Sequence, residues 1–280
     1  MALNIQTNIS SLTAQINVQR NQGNLMSSFQ KLSSGYRVNS AADDAAGLAI
    51  SESMKSQVRS YTVAQRNAAD GISMSQTAEG ALGEIHDVLG RMRELGMQAA
   101  NGSLTSSDRD AVSKEFTSLQ SEISRIQGST KFNNTQLINN GGAASTVKFQ
   151  VGLGSDTNDQ ISVDFQNVDL SAVTDTGTTL VTGTDGANAI TALSAIDTAI
   201  GTVSNSRSGF GAAINRLQVA TNNIQTMSLN LSSANSRIRD VDVAAETANM
   251  ARNQVLTQAG VSVLAQANQL PQLAFGLIGR

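Results

Sequence analysis

The chain has 280 residues and a net charge of −3, so its bulk charge gives no reason to expect binding to nucleic acid or to an anionic membrane. The absence of cysteine excludes disulfides and thiol chemistry, and a single histidine, His86, excludes any site that needs two. Aromatic residues make up 3% of the chain, which argues against the core of a compact enzyme. The single proline, Pro271, favours long helices, because proline breaks them.

The first segment of the chain has the pattern of a helix without a charged face. Between residues 1 and 30, Arg20 is the one charged side chain, and residues 253–279 contain none. The opening residues lack a basic start and a continuous apolar run, so they do not predict a signal peptide. No segment of the sequence has the pattern of a transmembrane helix. Apolar residues nevertheless recur at helical spacing in both terminal segments: Ile5, Ile9, Leu12 and Ile16, then Leu256, Val263 and Leu270.

Such uncharged amphipathic helices have three alternative environments. Helices at a membrane surface usually carry Lys or Arg on the polar face, and the many glutamines make a membrane-spanning helix costly. Burial among copies of the same chain lets amides hydrogen-bond to one another without any charge to pair, and we favour it. The side chains assigned to this shared core are Ile5, Ile9, Leu12, Ile16, Leu256, Val263, Leu264 and Leu270.

Two helices are predicted next. The first begins near Ser40 and runs to about Ala100, with an apolar stripe and a turn signal at Asn101-Gly102-Ser103. Ser107 and Asp110 then have the spacing of a capping box that opens the second helix. The two stripes are Leu82, Ile85, Leu89, Met92 and Ala99, then Val112, Phe116, Leu119, Ile123 and Ile126.

Residues 141–190 are rich in Gly, Thr, Asp and Ser and have the alternation of strands. Val147, Phe149 and Val151, then Ile161, Val163 and Phe165, alternate with polar residues, which predicts a β-hairpin at about 145–167. Gly152-Leu153-Gly154 lacks the helix and lysine of a phosphate loop and is interpreted as part of the turn. Residues 174–188 predict a polar loop.

The last third carries a heptad repeat, which predicts a helix packed along a supercoiled seam. The expected fold is mainly α, an elongated helical bundle or coiled-coil rod with a small β-hairpin. A second heptad position is filled by Ala213, Ala220, Met227 and Ala234. The seam residues are Ile196, Val203, Phe210, Leu217, Ile224, Leu231 and Ile238.

Long motifs give the chain a family resemblance. Residues 32–51 read LSSGYRVNSAADDAAGLAIS, residues 66–73 read RNAADGIS, and residues 76–82 read QTAEGAL. Near the end, residues 236–242 read SRIRDVD, residues 258–260 read QAG, and residues 264–272 read LAQANQLPQ. In this order, the motifs closely resemble the signatures of the bacterial flagellins over about 1–140 and 190–280. Periodicity alone indicates no more than a self-assembling helical protein.

The resemblance implies a short flagellin without large outer domains. Residues 1–43 and 241–280 would pair as an inner core domain, and residues 44–240 would form a rod domain. The implied function is a structural subunit that is exported unfolded through the flagellar secretion channel and polymerises into the extracellular filament for swimming. The implied partners are further copies of the chain, an export chaperone, the secretion apparatus, and the hook-associated and cap proteins. Neither a cofactor, a metal nor catalytic residues are expected.

Two alternatives to a filament subunit remain at this stage. One is the hook–filament junction protein, a structural relative whose terminal motifs are usually more degenerate. The other is an enzyme, which no nucleophile–base pair, metal cluster or cofactor loop supports. His86 and the pair Asp43-Asp44 are interpreted as a surface residue and as acidic residues at a helix start.

One surface has both a plain and a sharper interpretation. Charged residues off the apolar stripe near residue 91 are ordinarily a solvated face. Residues 90–95, reading GRMREL, resemble the rod segment that flagellins use for subunit contacts and that a Toll-like receptor of the host binds in many of them. The residues assigned to this face are Arg91, Arg93, Glu94, Leu95 and Glu115.

Overall fold

The described part of the chain contains six α-helices, one short 3-10 helix at Thr157–Asp159 and four strands. The computed structural model describes residues 7–138, 145–165, 168–175, 181–182 and 186–278, with side chains as far as Gln269. The helices are α1 Ile9–Ser34, α2 Ala45–Ala99, α3 Ser106–Ser129, α4 Ser171–Thr174, α5 Ala187–Arg239 and α6 Val243–Ile278. The strands are β1 Lys131–Phe132, β2 Thr135–Gln136, β3 Ser145–Gln150 and β4 Gln160–Phe165. The expected mainly helical fold with a small β-hairpin is confirmed.

The residues separate into two compact units. The terminal unit contains the chain up to Val58 and from Asn230 onward, and the central unit runs from Arg59 to Leu229. Ile5 lies outside the described residues, and so does the side chain of Leu270.

The core of the central unit is built from α2, α3 and α5. The predicted stripe of α2 is fully buried from Leu82 to Ala99, and Phe116 and Ile123 of α3 pack into the same core. Helix α5 adds the first five seam residues, all buried: Ile196, Val203, Phe210, Leu217 and Ile224.

The heptad pattern weakens along α5. In the terminal unit, Leu231 and Ile238 are half-buried. The second heptad position passes from the buried Ala213 through the half-buried Ala220 to Met227, which is exposed. A seven-residue repeat in the sequence therefore corresponds to a closed core over the first part of the helix alone.

The predicted hairpin is confirmed as β3 and β4. The strands are antiparallel, with Ser145 opposite Phe165 and Gln150 opposite Gln160. Phe165 is buried and its ring centroid lies 5.5 Å from that of Phe210 on α5. Gly71 of α2 makes room for this packing, because a Cβ there would lie 3.1 Å from side-chain carbons of both Leu217 and Phe149.

The helix starts differ from the sequence predictions. Helix α2 begins at Ala45 rather than near Ser40, and Asp44 caps it by accepting a hydrogen bond from the Gly47 amide at 2.8 Å. Asp43 instead accepts hydrogen bonds from the amides of Asn39 and Ser40 and from the Ser40 hydroxyl, which holds this segment in a turn. These hydrogen bonds from the side chain of Asp43 back to the backbone thus compete with the first helical turn.

The capping box of α3 lies two residues earlier in the chain than the predicted pair, at Thr105 and Asp108. Thr105 has extended backbone angles, and its Oγ1 accepts a hydrogen bond from the Asp108 amide at 3.3 Å. Asp108 returns the interaction by accepting from the Thr105 amide at 3.0 Å. Ser107 and Asp110 have the same spacing but lie inside the helix, because the T-x-x-D sequence precedes them.

The chain also forms a small hairpin that the sequence analysis missed. Strands β1 and β2 pair Lys131 with Gln136 and Phe132 with Thr135. The two connecting residues, Asn133 and Asn134, have positive φ angles of 46° and 66°. Asparagine tolerates this left-handed conformation, so the Asn-Asn pair was the available signal for a two-residue hairpin turn.

Buried polar side chains fasten the ends of α2 and α4, and the sequence pattern did not reveal them either. Arg109 is 1% exposed and donates from Nε to the Ala99 carbonyl and from Nη2 to the Asn101 carbonyl, both at 2.9 Å. It therefore satisfies carbonyl groups at the end of α2. In the same way, Gln120 donates to the Val173 carbonyl at 2.6 Å and fixes α4 against α3.

Candidate assembly surface

Helices α1 and α6 pair in antiparallel orientation through small residues. Asn8, just before α1, donates from Nδ2 to the Ala267 carbonyl of α6 at 2.8 Å. Val18, further along α1, lies against Gly260, which is nearer the start of α6. A Cβ at Gly260 would come within 2.7 Å of a Val18 methyl carbon, so glycine is what allows the helices to approach. Among the described side chains of the two helices, those that are buried are Ala14, Val18 and Ser28 on α1 and Ala267 on α6.

The predicted apolar side chains of these two helices remain largely exposed beside this contact. Ile9 is 61% exposed and Leu256 is 45% exposed, and Leu12, Ile16 and Val263 fall between these values. Leu264 is half-buried. The large side chains therefore remain available on the outside, because the contact between α1 and α6 is made by smaller ones.

Further apolar side chains widen this outward surface. Met26 and Phe29 of α1 are each about two-thirds exposed, and Val255 and Val261 of α6 are more than half exposed. The described part of α1 carries two charged residues, Arg20 and Lys31, and the described part of α6 carries Glu246 and Arg252. Many exposed large apolar side chains with few charges among them indicate an interaction surface.

The motif stretches from opposite ends of the chain meet in the terminal unit. Gly35 ends α1 with a left-handed φ of 75°, and its amide donates to the Lys31 carbonyl at 2.9 Å. The chain then forms an antiparallel bridge between Tyr36 and Asp240. The Arg37 amide donates to the Arg239 carbonyl at 2.6 Å. We call this pairing, residues 35–38 with 238–241, the junction.

Side chains reinforce the junction. Arg37 donates from Nη2 to the Ile238 carbonyl at 2.6 Å, and Val38 is buried. Arg239 donates from Nη1 to Glu52 on α2 at 2.5 Å, while its guanidinium carbon lies over the Tyr36 ring. The motif residues therefore act by holding the two ends of the chain together.

The predicted contact face of the central unit is an ion-pair network. Arg91 donates from Nε to Glu115 on α3 and from Nη1 to Glu94, both at 2.9 Å. The hydrogen bond to Glu115 and then that to Glu94 raise the pKa of Arg91. Arg93 donates to Asp197 on α5 at 2.7 Å.

Two residues near this face are not placed as expected. Leu95 is 2% exposed, so its side chain belongs to the core and cannot contribute to the surface of this structure. His86 is half-buried rather than exposed, and its Nδ1 is buried with no hydrogen-bond partner among the residues that the structure describes.

Among the residues that the structure describes, no cluster of three or more histidine, aspartate or glutamate residues could hold a metal ion. No described helix combines the length and the apolar character that crossing a membrane requires.

Comparison with known proteins shows the family. Residues 5–142 match the N-terminal helical region of bacterial flagellin, and residues 193–278 match its C-terminal helical region. Flagellin of Halalkalibacterium halodurans is 44% identical over 274 residues, covering 98% of this chain and 99% of that one. A 30.7 kDa flagellar filament core protein of Treponema maltophilum is 36% identical over 282 residues, covering 98% and 99%.

A solved structure shares the fold. A Vibrio parahaemolyticus protein assigned to the flagellar hook-associated class superimposes with a TM-score of 0.60 over 71% of this chain and 100% of that one, at 16% identity. This likeness supports the fold alone.

The family matches define a structural protein of the flagellar filament rather than an enzyme. The chain belongs to the bacterial flagellin family and is a subunit of the filament. The family resemblance of the sequence motifs is thereby confirmed.

Proposed function

We propose that the chain polymerises through the outward faces of α1 and α6, which become buried between copies in the filament. The supporting observation is the row of exposed large apolar side chains on two helices that are almost free of charge. In this proposal residues 1–43 and 241–280 form the inner core of the filament, and residues 44–240 form the rod around it.

The energetics favour a contact made by many residues. Burying one large aliphatic side chain stabilises a contact by roughly 1.5–3 kcal/mol. Association costs on the order of 4–15 kcal/mol, so several such side chains are needed for each neighbour. The remaining polar groups are mainly amides and hydroxyls, which can pair with one another without the desolvation cost of a charge.

Seeded polymerisation tests this proposal. Filament fragments added to the wild-type monomer should raise light scattering and yield long fibres without nucleotide or cofactor. Val263→Asp should abolish growth, because it places a charge in the buried face, whereas Val263→Leu keeps the face apolar and should polymerise. Growth of Val263→Asp at the wild-type rate would contradict the proposed contact.

Export is the second part of the proposal. We infer that the chain passes unfolded through the flagellar secretion channel to the extracellular filament, with a chaperone covering the apolar face of α6 beforehand. The absence of cysteine supports this, because no crosslink can form before threading. A variant with two cysteines joined by an oxidised disulfide should remain in the cell, and the reduced form should be exported. At the growing end, the hook-associated and cap proteins would contact the same faces.

The Arg91 network supports one further binding role. Arg91 and Glu115 are both about half exposed and joined across two helices, which pre-orders a guanidinium at the surface. We propose that this face, with Arg93 and Glu94, contacts a neighbouring subunit in the filament and a host Toll-like receptor in the monomer.

A further inference from the structure

The turn between α2 and α3 contains an asparagine followed directly by a glycine, Asn101-Gly102, and both residues are exposed. The Leu104 amide donates to the Asn101 carbonyl at 3.4 Å, which closes a turn over residues 101–104. In the described part of the chain the Gly102 amide donates no hydrogen bond, whereas an amide inside a helix is held by a carbonyl. The Gly102 nitrogen is therefore free to react.

The side chain of Asn101 is folded back over this turn. Its Oδ1 accepts a hydrogen bond from the Ser103 amide at 3.2 Å, the contact that an asparagine side chain makes with the backbone two residues on. The same contact places an N–H donor on the oxygen that gains negative charge when a nucleophile attacks Cγ of Asn101. Gly102 has no Cβ to crowd its nitrogen, and no other heavy atom lies within 4 Å of a Cβ built there.

We propose that Asn101 is a site of deamidation in the folded chain. Hydroxide removes the amide proton of Gly102, and the nitrogen attacks Cγ of Asn101, so that a C–N bond forms. The bond between Cγ and Nδ2 then breaks, and Nδ2 takes a proton from water and leaves as ammonia, which regenerates hydroxide. Water opens the resulting cyclic imide at either of its carbonyl groups, and the product is aspartate or isoaspartate.

Isoaspartate would alter a buried contact. Arg109 is 1% exposed, and its Nη2 donates to the Asn101 carbonyl at 2.9 Å. In isoaspartate the main chain runs through Cβ and Cγ of residue 101, so it is longer by a methylene group, and the former carbonyl becomes a free carboxylate. The turn with Leu104 and the anchor of Arg109 would both be displaced. Aspartate at the same position leaves the main chain unchanged.

Mass spectrometry tests the site in the full chain. The folded monomer is incubated at mildly alkaline pH and then digested with trypsin, which cuts after Arg93 and Arg109. The peptide of residues 94–109 contains Asn101 and no other asparagine, so its fragment masses report on this position. The Asn140-Gly141 pair, which lies outside the described residues, falls in a different peptide. Deamidation at Asn101 should accumulate with time and should accelerate as the pH rises.

Gly102→Ala is the matched variant. The backbone of Gly102 does not have a positive φ, and a Cβ there meets open space, so alanine fits without strain. Its methyl group crowds the attacking nitrogen and should slow deamidation at Asn101 by at least about tenfold. Asn222 is an internal control, because it is equally exposed but lies within α5, where the amide that follows it is held in the helix. It should remain unmodified.

The outcomes separate the possibilities, and none of them requires polymerisation. Equal rates for the wild type and Gly102→Ala would overturn the proposal, because the Gly102 nitrogen would not be the nucleophile. Deamidation in the urea-unfolded chain but not in the folded chain would also overturn it, because the turn would then protect Asn101. The isoaspartate form should melt at a lower temperature than Asn101→Asp, and equal melting would contradict the loss of the Arg109 contact.

Discussion

The guanidinium carbon of Arg239 lies 4.5 Å from the centroid of the Tyr36 ring. Tyr36 lies two residues after the end of α1, and Arg239 is the last residue of α5, so this contact joins sequence motifs near the two ends of the chain. The backbone bridge between Tyr36 and Asp240 forms at the same point. The junction thus gives a structural reason for both motifs, which need no chemistry of their own.

Two substitutions of Tyr36 should distinguish the contribution of its ring to stability from that of its hydroxyl. Tyr36→Ala removes the face on which Arg239 stacks and should lower the free energy of unfolding by roughly 1 kcal/mol. Tyr36→Phe keeps that face and should behave almost as the wild type does. Urea unfolding of the monomer measures both variants. Equal losses for the two would show that the hydroxyl, rather than the stacked ring, matters.

The seam is tested at Ile224, which is 4% exposed. Ile224→Asp places an unpaired carboxylate in the core of the central unit, and removing that charge from water should cost several kcal/mol, about 3 or more. Val219→Asp is the matched control, because Val219 lies on the same helix and is largely exposed. Circular dichroism melting should show a large fall for the first variant and little change for the second. Similar melting of Ile224→Asp and the wild type would place the seam elsewhere.

Gly71 should tolerate no branched side chain. Gly71→Val would force apart α2, α5 and the hairpin and should cost roughly 1–3 kcal/mol, as overpacking does. Gly80 lies in the same helix with nothing within 4 Å of a Cβ built there. Gly80→Ala should therefore stabilise by up to about 1 kcal/mol through helix propensity. Chemical denaturation measures both, and a neutral Gly71→Val would mean that this packing is loose.

Asp108 gives the α3 cap a defined pH dependence. Hydrogen bonds from the side chain and the backbone of Thr105 lower the pKa of Asp108 from its ordinary 3.8. The contribution of the cap to stability is therefore fully present above that ordinary value and is lost as the pH falls through the lowered pKa of the folded state. The NMR shift of the Thr105 amide should titrate with a midpoint below 3.8 and should not titrate this way in Asp108→Asn. A midpoint at or above 3.8 would contradict the capping box.

Receptor recognition is tested with a matched pair of arginines. Arg91→Ala should weaken signalling in a reporter cell line that carries the flagellin-sensing Toll-like receptor, since loss of an interface arginine can cost roughly 2 kcal/mol or more. Arg125→Ala is the control, because Arg125 is an exposed arginine on α3 that pairs with Glu122. Monomer should signal and intact filament should not. If the wild-type monomer gave no receptor signal, the proposed recognition would be contradicted. Equal signalling by both variants would show that Arg91 is not an anchor of this contact.

The buried faces of the long periodic segments could be predicted from the sequence. Buried residues recur about once per turn in a helix and at every second residue in a strand, so the spacing of apolar residues indicates which face is buried. The stripe from Leu82 to Ala99 and the alternation from Ile161 to Phe165 are buried as their spacing indicates. The first residues of the helices were harder to predict, because several Ser, Thr and Asp residues near each start could serve as the N-cap. Thr105, rather than Ser107, is the N-cap of α3. At the start of α2, Asp44 caps the helix while Asp43 stabilises the preceding turn.

The contact between α1 and α6 could not be predicted from apolar patterning. Large residues such as Ile9 and Val263 dominate the hydrophobic pattern, yet the helices approach through Ala14, Val18 and Gly260. Close approach needs small side chains, and these carry a weak signal in the sequence. The burial of Arg109 could not be predicted for a related reason. It depends on hydrogen bonds to backbone carbonyl groups at the end of α2, which lie near Arg109 only in the folded chain.

The central claim, that the outward faces of the terminal helices are buried between subunits, is tested most directly by one cysteine. The chain has no cysteine, so Val263→Cys provides a single reactive thiol at a position that is 56% exposed. Maleimide labelling should be rapid in the monomer, strongly suppressed in assembled filaments, and restored when the same filaments are depolymerised. Equal labelling of monomer and intact filament would contradict the account.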